Sequence, residues 1–206
     1  MSVNRRPETR GLFARARGVF LAPTTEWAII DREPATTGGL MLGYAAILAA
    51  IPPVCDFAGR RLFNFGVFAG RDHFPLWISA LAAAATYVVS LASVFIVARM
   101  INAMASDMGG EKNWISALKL SVYSSTIGWV TGLFGLFPPM AIFGGLCALY
   151  GFFPLYVGLP RLMRVSDDHV LGYALAVFVV SLLLFLITRF AIGWFAGMAA
   201  MAAMGG

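Results

Sequence analysis

Residues 170–189 read VLGYALAVFVVSLLLFLITR, and no charge interrupts the run until Arg189 closes it. A helix that crosses the hydrocarbon core of a bilayer needs about 20 mostly apolar residues. Backbone hydrogen bonds must be satisfied within such a segment, so helix is the form it takes. Four further stretches have the same character: Gly39–Phe57, Leu76–Ala98, Leu120–Phe137 and Met140–Leu159. The third is the most polar, with Ser121, Ser124, Ser125 and Thr126, and Lys119 precedes it. Beyond Arg189 the chain stays apolar to Met204, which predicts one span followed by a glycine-ended tail. The expected fold is all-α: a polytopic membrane bundle of about five transmembrane helices. Its expected divisions are a cytoplasmic N-terminal segment (1–37), the membrane domain (38–192) and the tail (193–206).

Composition agrees. Of 206 residues, 60% are hydrophobic and 12% charged, and mean hydropathy is +0.81. Soluble domains are about 45–50% apolar and about 25% charged. A net charge of +5 does not point to nucleic acid, because Arg and Lys stand at the ends of apolar runs rather than along a basic stripe with stacking aromatics. The two cysteines, Cys55 and Cys147, lie inside apolar runs without metal-ligand spacing and read as structural free thiols. The first long apolar run begins near Gly38, and Arg15 and Arg17 break the segment before it, so no signal-peptide core is expected.

Orientation follows from the cationic residues at the loops. With the N-terminus in the cytoplasm, that side holds Arg5, Arg6, Arg10, Arg15, Arg17, Arg32, Arg99, Lys112, Lys119, Arg161 and Arg164. The far side holds Arg60, Arg61, Arg71 and Arg189. Eleven against four predicts N-terminus in, C-terminus out. Near the N-terminus, Leu12, Phe13, Ala16, Val19 and Phe20 share one helical face, with Arg10 and Arg17 away from it and Arg15 at its flank. This spacing predicts a basic amphipathic helix in the headgroup layer, with anionic lipid as its partner. A helix packed on the bundle's own cytoplasmic face is the alternative. Pro23 closes it. Thr24 or Thr25 can cap a second short helix with Glu26 in its first turn, and Glu33-Pro34 ends that helix.

Several strings resemble the bacterial branch of the Yip-domain membrane proteins. They are Leu21-Ala22-Pro23-Thr24-Thr25-Glu26-Trp27 with Glu33-Pro34, Ala49-Ala50-Ile51-Pro52-Pro53, Ala117-Leu118-Lys119 with Tyr123-Ser124, and YGFFPLYVGLPRLM over residues 150–163. They keep order and spacing over roughly residues 12–190. The resemblance implies five spans and a cytoplasmic N-terminus. The eukaryotic branch is named for interaction with Ypt/Rab GTPases, partners not expected in a bacterium.

No catalytic constellation is present: no GxSxG elbow, no phosphate-cradling glycine loop, no HExxH. His73 and His169 fall in loops on opposite expected sides. No enzyme activity, cofactor or metal is expected. Pro52 and Pro53 free the carbonyls of Leu48 and Ala49. Together with Asp56, Tyr123 and Ser124 they mark either a kinked, polar-lined cavity or a helix end where Asp56 pairs with Arg60. The small and hydroxylated residues of the third span, with Gly128-x-x-x-Gly132, suit close helix packing or a solute site; Gly39-x-x-x-Gly43 suits packing. Lys119 can snorkel from the inner end. Glu26 and Trp27 are the expected partner-contact residues; the alternative for them is a cap and an aromatic anchor. Arg10, Arg15, Arg17, Phe13 and Phe20 are the expected membrane-surface residues. The leading functional expectation is a non-enzymatic membrane scaffold or adaptor that engages a second copy or other membrane proteins. The alternative is a small solute channel or transporter built on Pro52-Pro53 and the polar third span. Arg189 is expected at the outer interface.

Overall fold

The computed structural model describes residues 11–63 and 74–204, and within them every regular element is helical. Arg10 and His73 lie outside the described residues. We number the helices α1 (Leu12–Leu21), α2 (Pro23–Arg32), α3 (Thr37–Leu62), α4 (Leu76–Met104), α5 (Trp114–Thr131), α6 (Ala141–Leu149), α7 (Phe152–Leu162) and α8 (Asp167–Met204).

Four helical segments are long and apolar enough to cross a membrane: α3, α4, the nearly continuous α6–α7 pair (Ile142–Leu162) and α8. Large apolar side chains such as Leu81, Val88, Phe185 and Ile187 point outward from them. In water that surface would drive association; against acyl chains it is at its ease.

Helix α5 is different in kind. Eleven of its 18 residues are buried, so it is surrounded by protein. A helix shielded in this way does not need a lipid-compatible surface, which is why it tolerates Lys119 and hydroxylated residues such as Ser121, Ser124, Ser125 and Thr126. It packs against α1, α3, α4, α6 and α7, and α8 packs on α4 and α7. The expected third span extended to Phe137; instead α5 stops at Thr131 and a 3-10 segment, Gly132–Leu136, runs along the second half of α3.

Helix α3 is interrupted twice, by a π-turn at Met41–Ala45 and by a break at Ala50. It restarts at Ile51 with Pro52 and Pro53 in the first turn, where a missing N–H costs no ladder bond. The Tyr87 hydroxyl donates to the Ala46 carbonyl at 3.0 Å, beside the interruption. Broken helices at membrane depth survive through such rescue from a neighbour.

The short-residue motifs resolve unevenly. Gly132 does allow close approach, since an added Cβ would stand 2.6 Å from Pro52 Cγ. Gly128, Gly39 and Gly43 meet no neighbouring helix, so the Gly39-x-x-x-Gly43 pair is not a packing seam. The tightest approach to backbone is at Gly59, where an added Cβ would lie 2.3 Å from the Gly135 carbonyl oxygen and 2.6 Å from that of Leu136. Both obstacles are backbone. Gly59→Ala is therefore expected to cost about 1–3 kcal/mol, read as a lowered thermal midpoint in detergent. Gly43→Ala, which faces open space, serves as the unaffected control.

The stretch expected as a tail is helical as far as Met204, continuing α8 without a break. Ala196 and Ala200 pack there against Ile78 at the start of α4.

Candidate functional site

At one end of the bundle, α1 and α2 fold back onto α5 and α7 around a set of buried polar groups. Arg15 is 3% exposed, Glu26 2% and Lys119 6%. The Arg15 guanidinium donates through Nη1 to Glu26 Oε1 at 2.6 Å and through Nη2 to Glu33 Oε2. It also lies over the Tyr123 ring, 5.6 Å from the centroid. Lys119 Nζ donates to the Ile30 carbonyl at 2.7 Å and to the Glu33 carbonyl at 2.6 Å. Those carbonyls close the C-terminal end of α2, where a cation is favoured by the helix dipole. Among the described residues, two cations and two carboxylates thus stand together in one cluster. Burial works against the Arg15 charge. Its hydrogen bond to Glu33 and the neighbouring Tyr123, Glu33 and Glu26 outweigh that, and its pKa is raised above the ordinary value.

Trp27, fully buried, seals the cluster. Its Nε1–H donates to the Pro154 carbonyl at 2.8 Å, and its ring sits edge-on to Tyr123. Tyr123 in turn stands edge-on to Tyr44, whose hydroxyl is 3.0 Å from Thr126 Oγ1. Gly158 leaves room for the indole: an added Cβ would stand 2.6 Å from Trp27 Cε2. Gly18 likewise leaves room for the Glu26 carboxylate.

Further along α5 lies a cavity of about 430 Å³. Pro52, Pro53 and Asp56 of α3, Ser90 and Ser93 of α4, Ser121, Ser124 and Ser125 of α5 and Arg189 of α8 are among its lining residues. Its hydroxyls are mostly bonded close to home: Ser93 to Val89, Ser125 to Ser121 and Ser181 to Val177 carbonyls, and Ser121 to the Val94 carbonyl. Ser124 Oγ is buried and has no hydrogen-bond partner. Toward the α1–α2 end the cavity stops at a packed layer that includes Ala98, Ile101, Leu118, Leu159 and Tyr173, all fully buried. At the other end Arg189 Nη1 donates to Asp56 Oδ2 at 2.7 Å.

The Yip1 domain model matches residues 17–204. The chain belongs to the Yip1 domain family. Within that family it is similar to the "Inner membrane protein YohC" of Escherichia coli strain K12, 28% identical over 161 residues, which are 76% of this chain and 83% of the relative. The same figures hold for the protein of that name from Escherichia coli O6:H1. No solved structure matches.

Three of the four strings that carried the resemblance to the Yip1 family meet around the charged cluster: Pro23, Glu26, Trp27 and Glu33 from the N-terminal string, Lys119 and Tyr123 from α5, and Pro154 and Gly158 from α7; the fourth, Ala49–Pro53, lines the cavity instead. This placement corrects several sequence expectations. Glu26 and Trp27, expected to touch a partner, are buried and hold α2 to α5 and α7. Arg15, expected at the membrane surface, is drawn inward by two carboxylates from the following segment. Lys119 does not snorkel; it caps α2. Helix α2 begins at Pro23 with Ala22 before it, not at Thr24 or Thr25, because proline at the first helical position is pre-set for the turn. Arg17 and Phe13 are exposed, Phe13 at 87%. Phe20 is half-buried and packs on the Tyr150 ring, 5.7 Å between centroids. Tyr123 and Ser124, paired in the sequence reading, face opposite features: the cluster and the cavity. Asp56 pairs with Arg189, not Arg60. Glu26 and Glu33, carboxylates within reach of an arginine-rich helix, were the available signal for the buried cluster.

The Asp56–Arg189 pair is partly exposed, 27% and 43% by side chain. Such pairs contribute about 0–1 kcal/mol. Arg189→Gln is accordingly expected to leave membrane insertion and abundance unchanged, checked by quantifying the protein in isolated membranes.

Proposed function

We propose that this chain is a non-enzymatic scaffold or adaptor of the bacterial inner membrane, working through a second copy of itself or through other membrane proteins. Helix α5 is the fifth span in this reading, the N-terminus lies in the cytoplasm and the C-terminus outside, in line with the eleven-to-four cation bias. The name of the Escherichia coli relatives supports the membrane assigned. The observation that carries the reading is that the bundle's polar groups are largely satisfied within the protein. A channel needs a continuous polar path, and here the cavity ends on the fully buried layer of Ile101 and Tyr173. The alternative channel or transporter draws on the same cavity, with Pro52, Pro53, Asp56 and Ser124 in its wall.

What faces outward at the α1–α2 end is then the working surface. Phe13, Leu21 and Arg17 are exposed there. They combine apolar side chains with positive charge, the chemistry of the headgroup layer of anionic lipid and of the proteins seated in it. Cross-linking in native membranes tests this. The scaffold reading expects a reproducible partner set, a second copy included, that Phe13→Glu/Arg17→Glu removes without changing abundance. Vesicles holding the purified protein should remain tight to ions and small solutes. Saturable flux would replace this reading with the transporter one.

A further inference from the structure

The main cavity is not closed on all sides. Helix α6 packs on α5 and the 3-10 segment, while α8 packs on α4 and α7, and no comparable packing joins α6 to α8. Along that seam the lining residues are apolar and outward-exposed: Leu149 of α6, and Leu182 and Phe185 of α8. The seam therefore opens sideways, at the depth of the spans, onto acyl chains and not onto water.

A second, smaller cavity of about 120 Å³ adjoins the first. The two share Pro53, Asp56, Thr86 and Arg189, and the smaller one adds Arg60. An elongated, largely apolar chamber thus leads into a compartment carrying two arginines and one aspartate. That is the division of an amphiphile into tail and head. Asp56 neutralises one arginine, so among the described residues that line it the head compartment keeps a net positive charge. Ser124 lines the chamber, and its buried Oγ has no hydrogen-bond partner among the described residues.

We propose that the paired cavities form a binding site for an anionic single-chain amphiphile, entered laterally between α6 and α8, with its tail in the larger chamber and its head at Arg189 and Arg60. A cavity of a few hundred Å³ is of the size that encloses small organic ligands, about 300–1,000 Å³. Left empty, its walls would forfeit packing contacts on every side, and bilayer amphiphiles are what stand at its opening. The proposal does not depend on the scaffold reading.

The test uses the full chain in phosphatidylcholine vesicles, with two photoactivatable probes: diazirine-bearing hexadecyl phosphate and the uncharged diazirine-bearing hexadecanol. The phosphate is expected to label peptides from α5 and α8 that line the chamber, and to label them more than the alcohol does. Gly128→Leu and Gly145→Leu add side chains to the chamber wall at positions where an added Cβ meets nothing within 4 Å. Each should lower labelling at least tenfold at an unchanged thermal midpoint, and either alone suffices if the other fails to fold. Arg60→Gln/Arg189→Gln should bring the phosphate down to the alcohol's level and leave the alcohol unchanged. Labelling spread evenly over the outward faces of α4 and α8 and indifferent to the leucine variants, or no labelling at all, would overturn the site. Equal labelling by the two probes in the unaltered protein would overturn the anionic head.

Discussion

Arg15→Met is expected to lower the stability of the folded protein by about 3–5 kcal/mol, the cost of breaking a buried ion pair from one side. The substitution keeps much of the side chain's volume, so the loss is electrostatic rather than a cavity. It takes the guanidinium away from the carboxylates of Glu26 and Glu33, which are 2% and 8% exposed. Each would then face desolvation without the guanidinium that now bonds it. Domain stabilities are about 5–15 kcal/mol, so a large share is at stake. The readouts are the thermal midpoint in detergent and the steady-state amount in membranes. Arg15→Lys keeps the charge but offers no planar fork for two carboxylates, and should fall between the parent and Arg15→Met. The triple variant Arg15→Met/Glu26→Gln/Glu33→Gln removes the two buried negative charges as well and should recover most of the loss. A triple variant no better than Arg15→Met alone would assign the effect to shape instead.

Trp27→Ala is the second large effect, about 3–5 kcal/mol for emptying a fully buried aromatic site. The indole fills the space between α2, α5 and α7, and its N–H holds the Pro154 carbonyl. Trp27→Phe separates these contributions: the ring is largely kept and the hydrogen bond is lost, about 0.5–1.5 kcal/mol. Gly158→Ala approaches the same contact from the other side, and its Cβ would need the indole to move. The double variant Trp27→Phe/Gly158→Ala should cost less than the two single effects added together, because the smaller ring vacates the space the methyl needs. Unfolding midpoints of the four proteins check this, and strict additivity would show that the two residues do not press on one another.

Much of the architecture was legible because membrane spans are long and redundant signals. The runs at 76–98 and 170–189 announce themselves by length and absence of charge alone, and the structure extends both rather than moving them. Helix α2 ends at Arg32 with Glu33 extended, as a residue before proline must be. The weakness of the third run also had a physical meaning: α5 is polar because protein, not lipid, surrounds it. What the sequence hid was pairing at a distance. Arg189 meets Asp56 across 133 residues, whereas local spacing favours Arg60, one turn away. The rule that an amphipathic helix turns its charges to water places Arg15 outward. That rule fails when the next segment brings carboxylates to the same face. Tyr123 and Ser124 could have been separated from the start, since consecutive helical residues do not share a face. The cavity had no legible signature, because its walls come from six helices and its hydroxyls read equally well as packing contacts.

Helices α1 and α2 are ten residues each, too short to persist alone in water. If the buried charges hold them to the bundle, their amides must be protected from exchange with solvent. Hydrogen–deuterium exchange on the protein in lipid nanodiscs measures this directly. Peptides covering Leu12–Arg32 should exchange as slowly as those of α5, and Arg15→Met should speed them by orders of magnitude while leaving α4 and α8 unchanged. Full exchange of Leu12–Arg32 within seconds in the unaltered protein, at the same rate as in Arg15→Met, would contradict the account.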